Sequence, residues 1–138
     1  MFKAHGAGPD DPDIVSKIAG CYQLNLGRWW PWGLGEDAQF VTPPSRIQLL
    51  NKIGKEGWEK DHLILRPLPN AGGRGGPSFW DIESNQHVLM VWTDGFTGMT
   101  IEAKPDANGF SGWVHPHFDM FHLIKHVAHM NMHKIDCD

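Results

Sequence analysis

The chain reads as an all-β protein, an antiparallel up-and-down barrel of about eight strands. Three observations predict this class. Sixteen glycines and ten prolines among 138 residues suit short strands joined by tight turns and are too many for a helical bundle. Apolar and polar side chains alternate at period two through most of the chain. The turn signals Ser84-Asn85-Gln86, Asp94-Gly95 and Asn108-Gly109 separate the later runs at hairpin spacing, with no helix long enough for a βαβ crossover.

The elements follow in order. Residues 1–17 form an N-terminal extension, Gly/Pro/Asp-rich up to Pro12. There Pro12 opens one or two helical turns carrying Ile14, Val15 and Ile18, with Asp10 or Asp11 as N-cap. The remainder, 18–138, is one barrel domain without repeat or linker. Its first strand spans Gly20 to Gly27, with Tyr22, Leu24 and Leu26 on one face. A loop from Arg28 to Asp37 is rich in Trp, Gly and Pro. The second strand covers Ser45 to Asn51, after the Pro43-Pro44 break. The third covers His62 to Leu68, with Leu63 and Leu65 opposed to Ile64. Strands then come closely spaced at Ser78–Ile82, His87–Thr93, Phe96–Ala103 and Phe110–His115. The stretch from Phe121 to Cys137 fits either a helix or a strand.

Composition removes several classes of function. Hydrophobic residues are 41% and charged residues 20%, which is globular rather than disordered. A net charge of −4 without a Lys/Arg cluster argues against nucleic acid, because phosphate binding needs a basic stripe. The apolar runs are too short for a transmembrane helix. The N-terminus lacks the apolar core of a secretory signal, which predicts the cytoplasm, or the cytoplasmic face of a membrane, with Cys21 and Cys137 reduced. The alternative is that these cysteines, on first and last strands that meet when the barrel closes, form a disulfide. A bridged pair implies the periplasm.

The Gly20-Cys21-Tyr22 opening after a short helical turn, followed by seven further strands, resembles the calycin or lipocalin-like barrels. Tyr22 stands where that family usually has Trp. The chain also resembles short bacterial proteins of unassigned role with a Gly-Cys-Tyr opening, a Pro-Pro-x-Arg segment (here Pro43-Pro44-Ser45-Arg46) and a Cys near the end. The calycin resemblance implies a barrel holding an apolar small molecule or haem. In this chain such a pocket would be lined by Tyr22, Leu24, Val88, Met90, Trp92 and Met99.

Four constellations bear on chemistry. His122, His126, His129 and His133 would line one face of a helix and could hold a divalent metal or haem. On a strand, His129 and His133 share one face and His122 and His126 the other. Arg28-Trp29-Trp30-Pro31-Trp32 concentrates three tryptophans beside the core-type Trp58, Trp80, Trp92 and Trp113. Such a cluster is either a docking surface or a lid over the barrel end. An isomerase or cyclase would need an acid or base inside the cavity, for which Glu102 and His115 are the nearest candidates. Gly72-Gly73-Arg74-Gly75-Gly76 lacks the Lys-Ser/Thr of a phosphate loop, and no Gly-x-Ser-x-Gly occurs. The expectation is therefore a non-enzymatic accessory subunit without cofactor, docking on a larger assembly such as a membrane-bound photosynthetic or respiratory complex. It would use Phe2 in the extension and Trp29, Trp30 and Trp32 in the loop. The alternative is a calycin-type carrier, with haem or a divalent metal as the cofactor.

Overall fold

The computed structural model describes residues 12–30, 42–118 and 126–137. A helical turn, α1 (Pro12–Ile18), precedes eight strands: β1 (Gly20–Trp30), β2 (Arg46–Ile53), β3 (Leu63–Pro67), β4 (Ser78–Ile82), β5 (Val88–Thr93), β6 (Thr97–Asp106), β7 (Gly109–Phe118) and β8 (Val127–Ile135). Each strand pairs antiparallel with the next, and β8 returns to β1, so the sheet closes into a barrel. Closure satisfies the backbone groups that an open sheet leaves at its edges.

The β5–β6 turn displays the local reason for the hairpins. Asp94 Oδ1 accepts from the amides of Phe96 and Thr97, each at 2.9 Å, while Gly95 takes a φ of 93° that side-chain-bearing residues rarely adopt. The two-residue loop is Gly95-Phe96, one position later than the expected Asp94-Gly95, and it sets the register Leu89↔Glu102 and Val91↔Thr100.

Alternation then divides the sheet. Trp80, Ile82, Val88, Met90, Trp92, Met99, Ile101, Val114 and Met130 are fully buried inside. At one end α1 acts as a plug. Val15 is buried in the same core, with Ile14 and Ile18 packed against it, and the Tyr22 hydroxyl donates to Ile18 O at 2.6 Å. At the opposite end three loops are tied together. Arg74 N donates to Thr42 O at 2.6 Å, Ser45 N to Ala71 O at 3.0 Å, and the Arg74 guanidinium lies 3.4 Å from Asp94 Oδ2. Hydrogen bonds from the amides of Thr97 and then Phe96, and after them the arginine, hold the Asp94 carboxyl down at about 2.

The seam of the barrel lies between β1 and β8. There Cys21 sits opposite Ile135, and Cys21 is bridged to Cys137 with a Cα separation of 5.2 Å. The reduced pair expected from a cytoplasmic address gives way to the disulfide, because barrel closure brings β1 beside β8 and the residues that follow it. Among the described residues no helix is long and apolar enough to cross a membrane.

Candidate functional site

The six residues expected to line a ligand cavity are all inside the barrel. Tyr22, Leu24, Val88, Met90, Trp92 and Met99 belong to one packed cluster, none more than 4% exposed. Burial alone pushes the Tyr22 phenol up to about 12. Trp80 Nε1 donates to Leu50 O at 3.0 Å. The indole N–H of Trp92, equally deep, meets no acceptor among the described residues.

The aromatic expectations divide. Trp29 and Trp30 are not in a loop: they end β1, paired with Ala128 and Val127 of β8 across a bulge after Leu26. Alternation turns Trp29 toward the core and leaves Trp30 63% exposed. Phe2 and Trp32 lie outside the described residues. Trp80 and Trp92 are core residues as expected, but Trp58 and Trp113 are about half exposed. Trp113 alternates with the buried Val114 and so faces out of β7. Trp58 lies on a single 3₁₀ turn, Gly57–Glu59, folded back along the outside of the barrel. Glu59 there pairs with Arg66, and His62 stacks on Phe79 with ring centroids 4.0 Å apart. The Trp58 ring reaches Gly95, whose neighbour Phe96 is 70% exposed. Trp30, Phe96 and the Trp58 ring beside Gly95 thus mark the end of the barrel tied together by Arg74.

Of the two arrangements open to the histidine row, the described part adopts the strand. Residues 127–135 are strand, so a helical face uniting His122, His126, His129 and His133 does not form. Ala128, Met130 and Met132 fill the interior, and His129 and His133 project outward. His126 precedes β8, and His122 lies outside the described residues. Strand geometry prevails because β8 must pair with both β1 and β7 to close the sheet.

Glu102 and His115 also face outward, away from the position an interior acid or base would need. They line an open groove of about 460 Å³ on the outer wall, together with His87, Lys104, Trp113 and His129. Trp113 meets His129 edge-on, centroids 5.1 Å apart. At one side of the groove His87 Nδ1 lies 2.7 Å from Glu102 Oε2. That hydrogen bond is the main cause holding the Glu102 carboxyl below its ordinary range. Glu83 completes a cluster whose three donor atoms all lie within 4.8 Å of one another. Further along β7, His117 Nε2 bonds Thr100 Oγ1 at 2.9 Å, and burial, then the nearby Arg74 charge, lowers its affinity for a proton.

Sequence reasoning passed over the grouping of Glu83, His87 and Glu102, because Glu102 joins the other two only through the β5–β6 register. Compared with protein-family models, curated proteins and solved structures, the chain matches none.

Proposed function

We propose that the protein is a non-enzymatic accessory subunit that docks on a larger protein assembly through the aromatic end of its barrel. The observation carrying this reading is the partition of its large side chains. The interior is occupied by Trp80, Trp92, Ile101, Met90 and Met99 in one packed cluster, while Trp30, Trp58 and Phe96 stand out at one end. Exposed aromatic side chains supply large contact area at small entropic loss. Their footing is rigid, since Arg74 links the loops beneath them. Disulfides persist in oxidising compartments, so the Cys21–Cys137 bridge favours a periplasmic address over the cytoplasmic one expected from the N-terminus.

One observation favours the calycin-type carrier as the second reading. An indole N–H buried without an acceptor is costly, and a ligand inside the barrel would supply one to Trp92.

The test is site-specific photo-crosslinking in the source organism, with the crosslinker at position 30, 96 or 104. Adducts with one partner protein from 30 and 96, and none from 104, are expected. Adducts from all three positions alike, or from none, would refute docking through this end.

A further inference from the structure

We propose that Glu83, His87 and Glu102 form a binding site for a divalent transition-metal ion, of which zinc is the representative. The site stands apart from the aromatic end and does not rest on the docking reading. It takes its shape from the β4–β5 hairpin and the neighbouring strand β6. Glu83 immediately follows β4 and His87 immediately precedes β5. The turn between them is held by Glu83 N donating to His87 O at 2.9 Å and Gln86 N donating to Glu83 O at 2.8 Å. His87 N donates in addition to Asn85 Oδ1 at 3.0 Å. Backbone geometry therefore fixes how far apart the Glu83 and His87 side chains start.

Glu102 arrives from β6 on the same outer face, between Leu89 and Trp113 in the register. The donor atoms of the three residues lie within 4.8 Å of one another. Two metal–ligand bonds of about 2.1 Å span at most about 4.2 Å, so small side-chain rotations bring all three onto one ion. The contact between His87 Nδ1 and Glu102 Oε2 at 2.7 Å is one that an ion would take over.

The donor set selects the ion. Two carboxylates and one imidazole combine oxygen with nitrogen, which suits zinc and its first-row neighbours better than the all-oxygen preference of calcium or magnesium. Three protein donors leave at least one position of a tetrahedral shell open. Glu102 and His87 border the groove of about 460 Å³ that continues past Lys104 to Trp113, His115 and His129. The open position thus faces space where water or an external donor can enter.

The experiment is isothermal titration of the purified, disulfide-intact protein with zinc chloride, repeated with magnesium chloride. Circular dichroism of each variant verifies the fold. One equivalent of zinc is expected to bind the unaltered protein, with magnesium much weaker. His87→Gln and Glu102→Gln should each weaken zinc by at least about tenfold, whereas His115→Gln and His129→Gln should leave affinity unchanged. Undiminished zinc binding in folded His87→Gln, loss in His129→Gln, or no zinc binding by the unaltered protein would each overturn the site.

Discussion

Reducing the Cys21–Cys137 bridge should be the most damaging single chemical change to the fold. The bridge closes a separation of 116 residues, for which the chain-entropy relation gives about 5 kcal/mol lost from the folded state. A typical domain has about 5–15 kcal/mol in total, so reduction removes a third or more. With an unfolding entropy of about 2.1 cal/mol/K per residue over 138 residues, the midpoint temperature should fall by roughly 17 °C. Urea unfolding followed by tryptophan fluorescence, with and without dithiothreitol, reads the same quantity. For a slope of about 2 kcal/mol/M the urea midpoint moves down by about 2.5 M. The Cys21→Ala/Cys137→Ala double variant should behave like the reduced protein, since the bridge joins β1 to the chain just beyond β8 and both substitutions remove it. A loss below about 1 kcal/mol would refute the reasoning. The pairing of β1 with β8 would then hold the seam unaided.

Three further outcomes follow from the core and the surface. Tyr22 is the only tyrosine, and its phenol, raised to about 12 by burial, favours the neutral form in the folded protein. Its contribution is therefore complete below about pH 10 and lost as pH rises through about 12, a difference of about 2.7 kcal/mol for two units; tyrosinate absorbance in native and urea-unfolded protein measures both values. Trp80→Phe should destabilise by about 1–3 kcal/mol through the Leu50 carbonyl it leaves unpaired. Trp92→Phe, which deletes an N–H without an acceptor among the described residues, should lose less; urea midpoints of the two variants decide. Trp30→Ala and Phe96→Ala should leave the unfolding free energy from urea titration within about 0.5 kcal/mol of the unaltered protein, because both side chains are mostly exposed.

The barrel was legible where alternation was unopposed. In β4 and β5, Trp80, Ile82, Val88, Met90 and Trp92 fall on one face at strict period two, and the structure buries all five. The final strand was ambiguous because histidines at 122, 126, 129 and 133 fit a helix as well as a strand. The deciding signal was the apolar set Ala128, Met130 and Met132, whose period of two belongs to a strand alone. Trp58 and Trp113 misled because residue type suggests burial while position decides it. Trp113 shares a face with His115, the exposed face of β7, and Trp58 rides on a turn folded over the wall. The cluster of Glu83, His87 and Glu102 depends on strand register, which follows from a turn only when its central pair is placed to the residue. Reading Asp94-Gly95 in place of Gly95-Phe96 moves the pairing by two residues, which keeps Glu102 on its face and only changes its opposite residue from Leu89 to His87.

Native mass spectrometry of the protein drawn gently from its source, with an absorption spectrum of the same sample, tests the central claim most directly. The account predicts co-migration with larger protein subunits and no small-molecule mass on the 15.5 kDa chain. The complex should be lost when Trp30 and Phe96 are both replaced by Ala. A free monomer carrying an apolar ligand or haem would contradict it, and would establish the barrel interior around Trp92 as the site.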